Sequence, residues 1–190
     1  IKRPDVSILS EEFLAEVRGL DRKNLALELL KKLLTNEIDT VKSKNIVLGR
    51  KFSEMLDKVL KRYHANILTA AEIIEEMIGV ARELRGEGER AEKLGLKDYE
   101  MAFYDALADN ESARGVLGHK VLRELACVLV DKVKENTSID WTIRESARAK
   151  LRVIIKRTLN KFGYPPDMQK LATELILKQA ELHANDIFKD

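Results

Sequence analysis

The sequence predicts an all-α protein, an irregular bundle of about seven to eight helices. Its prolines are Pro4, Pro165 and Pro166, so the chain between Asp5 and Tyr164 contains none. Leu, Ala, Glu, Lys and Arg are abundant there, and these residues favour helix. Apolar residues recur every three to four positions, and no alternating run typical of a strand is found.

The first two helices are predicted from capping residues and leucine spacing. Ser10 precedes a short amphipathic segment that ends at Gly19. Asp21 is a candidate N-cap for the next helix, because its carboxylate can accept a hydrogen bond from a first-turn amide. That helix is predicted to run to about Lys44 with leucines on one side. They are Leu25, Leu29, Leu30, Leu33 and Leu34.

A break and a third helix are predicted next. The stretch Asn45–Arg50 contains Gly49, a residue typical of turns, and we expect the helix to be interrupted there. An amphipathic segment follows from Phe52. Its further apolar residues are Met55, Leu56, Val59 and Leu60.

The fourth helix has the clearest start signal in the chain. Thr69 and Glu72 have the spacing of a capping box, in which each side chain satisfies a backbone amide at the helix start. The apolar period behind them predicts a helix that continues through Gly86 and Gly88. Gly95 is a candidate terminator, because glycine tolerates the left-handed conformation that often ends helices.

The second half of the chain is predicted to continue with helices. Tyr99–Ala108 is expected to be a short helix, and the polar, glycine-containing stretch Asp109–Gly118 a loop. Val121–Lys134 is apolar on one face and predicts another helix. We expect Asn136–Asp140 to be a connection.

The last two helices flank a proline-rich stop. A helix is predicted over 142–162, followed by Gly163–Asp167, which contains two prolines. The final helix is expected from about Met168 to Phe188. The predicted buried stripe of the 142–162 helix consists of Ile143, Ala147, Leu151, Ile154, Ile155, Thr158 and Phe162.

Charge and composition exclude several classes of protein. The net charge is +2, from 34 basic and 32 acidic residues, whereas proteins that coat polyanions usually carry a larger surplus. The only cysteine is Cys127, so a disulfide framework within the chain is impossible. The longest wholly apolar run, Leu125–Val130, is too short for a membrane span. We therefore expect a cytoplasmic protein without a membrane partner, and the first residue, Ile1, suggests part of a longer chain.

No catalytic or metal-binding set is recognised, so we expect this chain not to be an enzyme. It lacks a phosphate-binding Gly-x-x-x-x-Gly-Lys loop. The histidines His64, His119 and His183 are scattered. Cys127 lies in an apolar run, where a reactive thiolate is disfavoured, and is interpreted as structural.

The most informative segment is the basic helix over 142–162. It carries seven basic residues and a single acid, Glu145. Some of the cations recur every four residues and share a helix face, where like charges repel unless an opposite charge compensates them. That compensation comes either from glutamates of neighbouring helices or from an external phosphate or protein surface. The seven residues are Arg144, Arg148, Lys150, Arg152, Lys156, Arg157 and Lys161.

Trp141, the only tryptophan, lies just before this helix. It is interpreted either as a core residue that staples the helix start or as an anchor for an interface, since tryptophan is enriched in both roles.

Three runs in this region resemble a known family. They are Ile139–Arg152, Ile155–Arg157 and Gly163–Asp167, and the run Asp140-Trp141 through Pro165-Pro166-Asp167 is the most specific. Supporting runs are Lys23–Leu30, Thr69–Glu76 and Ala102–Leu107. Together they resemble the carboxy-terminal helical domain of type I restriction enzyme R subunits, and the likeness extends from about Arg3 to Glu181.

The resemblance implies that catalysis and assembly belong to different parts of the full protein. In this family the full R subunit is an ATP-dependent site-specific deoxyribonuclease that uses ATP and Mg²⁺ and assembles with modification (M) and specificity (S) subunits. Residues 1–9 would then be an extended linker from upstream motor domains, and 10–190 a single helical domain. Because the nuclease and ATPase motifs of the family are absent here, no catalytic residue, cofactor or metal ligand is carried over. The implied role is docking onto the methyltransferase core.

Two alternative functions remain open. The basic helix could contact duplex DNA through its phosphates. The chain could also be a cytosolic helical adaptor unrelated to the family.

Overall fold

The structure, a computed structural model, describes residues 9–137 and 141–184. Within that part of the chain the regular elements are helical and no strand occurs, which confirms the all-α prediction. Among the described residues, there are eight helices of nine residues or more and the five-residue α5. They are α1 (Glu11–Gly19), α2 (Lys23–Lys42), α3 (Ile46–His64), α4 (Ala70–Gly88), α5 (Arg90–Leu94), α6 (Asp98–Ala108), α7 (Glu111–Asn136), α8 (Glu145–Lys161) and α9 (Gln169–Leu182).

The chain forms two compact units. Unit 1 contains the described part of Ile1–Ser43 together with Leu48–Leu94. Unit 2 contains Lys44–Val47 and the described part of Gly95–Asp190. A single folding domain over 10–190 stays a prediction, and of the linker predicted over 1–9 only Leu9 lies within the described residues, where it is buried.

Unit 1 is built around α4, which contacts α1 and α2. The predicted capping box is present: the Glu72 amide donates to the Thr69 hydroxyl, and the Thr69 amide donates to the Glu72 carboxylate. The fourth helix ends at Gly88, before the predicted terminator Gly95; that glycine follows α5 and has φ +62°, as expected for a residue that terminates a helix. The core is formed by the apolar faces of α1–α4. Its fully buried members include Leu14, Leu30, Leu34, Phe52, Ile73 and Met77.

Two local predictions for α2 and α3 are wrong. Asp21 does not cap α2: the helix begins at Lys23, and its N-cap residue Arg22 makes no side-chain capping bond. The predicted break at 45–50 is shorter, because α3 already begins at Ile46. Gly49 therefore lies within a helix, where its missing side chain lets the backbone of Lys42 come close.

Unit 2 packs α6 against α7 and α9, and α8 against α7 and α9. Every residue from Tyr99 to Ala108 in α6 is buried, apart from Glu100. The core continues through Leu125 and Leu129 of α7 to Ile155 of α8 and Ile176 of α9, all fully buried.

The boundaries of α7, α8 and α9 differ from expectation. The predicted loop 109–118 is helical from Glu111, because Asn110 caps the helix by accepting from the Ser112 amide. Only Gly118 departs from helical geometry, with φ 70°. Helix α8 begins at Glu145 rather than near 142, and α9 ends at Leu182. The predicted connection at 138–140 and the predicted helix end near 188 lie outside the described residues.

Unit 2 also contains a buried polar cluster. The Gln179 side chain is fully buried; its Nε2 donates to the Lys44 carbonyl (2.6 Å), and its Oε1 accepts from the Ile46 amide (3.0 Å). His183 Nε2 lies 2.6 Å from the same Lys44 oxygen. Asn45 donates to Asp105 at 2.7 Å. These bonds hold the segment Lys44–Val47 within unit 2.

Candidate interaction surface on helix α8

Helix α8 buries one stripe of apolar residues, and its basic residues lie outside that stripe. Leu151, Ile155 and Leu159 are buried at the helical spacing of four residues. The inclusion of Ile143 in the predicted buried stripe is wrong: it lies before the helix start and is 85% exposed. The seven predicted cations are all found on or beside α8, with Arg144 at the N-cap.

Two of these cations form ion pairs with α9. Arg152 binds Glu174 with two nitrogens, Nε to Oε1 at 2.5 Å and Nη2 to Oε2 at 3.1 Å. Arg148 Nη2 lies 2.8 Å from Glu181 Oε1. For these two residues, the structure matches the interpretation in which neighbouring glutamates compensate the charge. The acids come from a different helix, so their identity could not be derived from the spacing within α8.

The Arg152–Glu174 pair changes the protonation of its members. Hydrogen bonding to the Arg152 guanidinium lowers the pKa of Glu174, and the nearby charges of Arg148 and Lys178 act in the same direction. The same pair raises the pKa of Arg152. Both groups thus stay charged at neutral pH.

The other cations of α8 are distributed differently. Lys150, Lys156, Arg157 and Lys161 are exposed. Across residues 9–137 and 141–184, none of these four makes a hydrogen bond or ion pair with an acidic side chain. Arg144 is exposed but does engage in an interaction. The predicted basic stripe therefore divides into a paired side that faces α9 and an exposed side.

Trp141 lies in the core, with only 1% of its surface exposed. No described residue accepts a hydrogen bond from its indole nitrogen. Its burial matches the core interpretation, whereas a role as an interface anchor would require the ring to become accessible.

The described residues offer few other candidates for a reactive group or a metal site. Burial raises the pKa of the half-buried Cys127 thiol, so the thiol stays protonated at neutral pH. No group of three or more His, Cys, Asp or Glu side chains within 9–137 and 141–184 is arranged to hold a metal ion. In the same ranges, no helix is long and apolar enough to cross a membrane.

Comparison with known proteins decides the family. A family model described as "Type I restriction enzyme HindI endonuclease subunit-like, C-terminal" matches residues 1–186. The chain belongs to this family. This member of the HindI-like C-terminal family is 36% identical over 185 residues to the type I restriction enzyme HindI endonuclease subunit of Haemophilus influenzae. It is 32% identical over 165 residues to a putative type I restriction enzyme MjaIXP endonuclease subunit of Methanocaldococcus jannaschii.

These matches confirm the resemblance found in the sequence. They cover 97% and 85% of this chain but only 18% and 16% of the two relatives. The chain thus spans less than a fifth of the length of these curated relatives. No solved structure matches it.

Proposed function

We propose that this C-terminal family domain docks an ATP-dependent type I restriction endonuclease onto its methyltransferase core of M and S subunits. The observation that carries the proposal is the match of a C-terminal family model to residues 1–186, together with relatives named as endonuclease subunits. In this proposal ATP, Mg²⁺ and DNA cleavage belong to the rest of a longer protein, which acts in the cytoplasm. The domain itself contributes assembly rather than catalysis.

A pull-down with the purified M–S core from the same source tests this directly. The chain is immobilised and offered the core with and without a duplex that carries the recognition site. We expect the core to be retained in both conditions. No retention in either condition would overturn docking as the role of this domain.

An activity assay tests the second half of the proposal. The purified chain, incubated with ATP, Mg²⁺ and duplex DNA, is expected to hydrolyse no ATP and to leave the DNA uncut. ATP turnover that follows the chain through purification would contradict the assignment of catalysis to other parts of the longer protein.

A second candidate function is contact with duplex DNA. The exposed cations Lys150, Lys156, Arg157 and Lys161 favour it, since phosphate contacts are made mainly by Lys and Arg. Each neutralised phosphate contributes a slope of about 0.9 to the fall of log affinity with log salt concentration. The double charge reversal K150E/K156E should then reduce the magnitude of this slope by about 1.8, which corresponds to the loss of two phosphate contacts. A slope equal to that of the unsubstituted chain would exclude these two lysines as phosphate ligands.

A further inference from the structure

The exposed cations of α8 surround an exposed valine. In a helix, residues three and four positions apart are neighbours on the surface. Val153 is therefore adjacent to Lys150, three residues before it, and to Lys156 and Arg157, three and four residues after it. It is 48% exposed. We call the face formed by Lys150, Val153, Lys156, Arg157 and Lys161 the α8 outer face.

The α8 outer face points away from the buried side of its helix. Successive residues turn by about 100° in an α-helix, which places Val153 roughly 160° around the axis from Ile155. Ile155 is fully buried. The paired arginines Arg148 and Arg152 lie closer to the buried side, against α9. The outer face is thus a separate surface, with an apolar centre and a basic rim.

This composition resembles the anatomy of protein interfaces. They commonly combine an apolar or aromatic centre with a polar rim. A DNA backbone, by contrast, is bound by cations, polar side chains and backbone amides, and a valine at the centre adds nothing to such contacts. The overall charge of only +2 gives no broad electrostatic field for a polyanion.

Because acidic groups would complement this basic rim, we propose that the α8 outer face docks an acidic surface of a partner protein, with carboxylates over the basic rim and an apolar side chain over Val153. The inference rests on the proposed docking function and places the acidic surface on the M–S core. It specifies which side of the domain is used and what chemistry the partner offers.

Three variants separate the contribution of the apolar centre from that of the basic rim. Val153→Ser removes apolar contact without changing charge, and we expect it to weaken binding of the M–S core roughly three- to ten-fold at every salt concentration. Val153→Thr, which is nearly isosteric, should act in the same direction. K150E/K156E should weaken binding by about ten-fold or more at low salt, with the difference shrinking as salt screens the charges.

A matched control is available within unit 2. Lys120 of α7 and Lys170 of α9 are also exposed, and K120E/K170E changes the net charge by the same amount. We expect it to change affinity by less than about two-fold, since neither lysine belongs to the α8 outer face. Thermal melting of each variant checks that all remain folded.

The outcomes distinguish the two proposals. If the unsubstituted chain binds the core but Val153→Ser has no effect, or K150E/K156E behaves like K120E/K170E, this inference is overturned while docking stands. If K150E/K156E loses affinity only for a duplex probe, the outer face is a nucleic-acid surface and the inference again fails. If the unsubstituted chain does not bind the core at all, the docking function fails and the inference falls with it.

Discussion

Gly49 lies against the backbone of Lys42: a Cβ atom added to the glycine would come within 2.5 Å of the Lys42 Cα. The two residues belong to α3 and α2, and real Cβ atoms do not approach other atoms so closely. Because the obstacle is backbone, it cannot rotate out of the way as a flexible side chain could. We expect Gly49→Ala to lower the free energy of unfolding by about 1–3 kcal/mol, measured by urea denaturation.

The control for that substitution is Gly79→Ala. Gly79 lies inside α4, is exposed, and a Cβ atom there would meet nothing within 4 Å. Alanine has the higher helix propensity, so this variant should gain about 0.5–1 kcal/mol. Equal effects at both positions would mean that the close contact at Gly49 is not present in solution.

Gln179 caps the start of α3 from within unit 2. Its Oε1 accepts from the Ile46 amide, which has no intrahelical partner at the first position of the helix. Gln179→Leu leaves this amide unsatisfied, and we expect a loss of about 1–3 kcal/mol in the free energy of unfolding. The Lys44 carbonyl retains its contact with His183, which limits the cost. Lys178→Leu, at the neighbouring exposed position, should be nearly neutral.

Tyr164 is buried and donates its hydroxyl to the Leu107 carbonyl at 2.9 Å. Tyr164→Phe should lower the free energy of unfolding by about 1–2 kcal/mol, because this hydrogen bond is lost.

Burial raises the pKa of the Tyr164 hydroxyl above its usual value of 10.0, so the folded state favours the protonated form. The stabilisation that this raised pKa provides is fully present below the unfolded-state pKa and is lost as the pH rises through the folded-state pKa. Above pH ~10, the free energy of unfolding should therefore fall less steeply with pH in Tyr164→Phe than in the unsubstituted chain. Denaturant titrations at a series of pH values measure this difference.

The Arg152–Glu174 pair should contribute little, because both side chains are more than a third exposed. A double-mutant cycle of Arg152→Gln and Glu174→Gln should give a coupling of roughly 0.2–1 kcal/mol at neutral pH. The pKa of Glu174 is lowered in the folded state, so the coupling is present above the unfolded-state pKa and disappears as the pH falls through the folded-state pKa. A coupling that persists at pH ~2 would contradict this assignment.

Local signals predicted much of the fold. The helix starts at Ser10 and Thr69 were correct because each depends only on residues within one turn, whereas Gly95 ends α5 rather than the fourth helix. Asp21 failed as a cap although its type is suitable, because the helix begins beyond its reach. These features require no knowledge of tertiary structure, and errors of one or two residues are normal at helix ends.

Glycine led to two wrong predictions, for different reasons. At 109–118, the polar composition suggested a loop, but only Gly118 has positive φ and the residues before it are helical. At Gly49 the glycine serves close packing rather than a turn. Glycine is suited both to a backbone with positive φ and to close packing between helices. Which of these roles it has at a given position depends on its tertiary neighbours, so the sequence alone does not distinguish them.

The candidate surface was predictable in composition but not in arrangement. The cations lie on or beside one helix, as the sequence predicted. Which of them are paired depends on Glu174 and Glu181 of α9, which are distant along the chain. The exposed position of Val153 could have been found from the helical period, because it lies opposite Leu151 and Ile155.

The membership of Lys44–Val47 in unit 2 has a consequence for the order of folding. Its hydrogen bonds to Gln179 and His183 join residues separated by 133 to 139 positions in the chain. We expect contacts of such long sequence separation to form late, because a long loop must close before they are gained. A fragment that began at residue 95 would also lack the Asn45 partner of the buried Asp105. Unit 2 is therefore not a contiguous stretch of sequence, and a fragment intended to isolate it needs the segment 44–47 supplied as well.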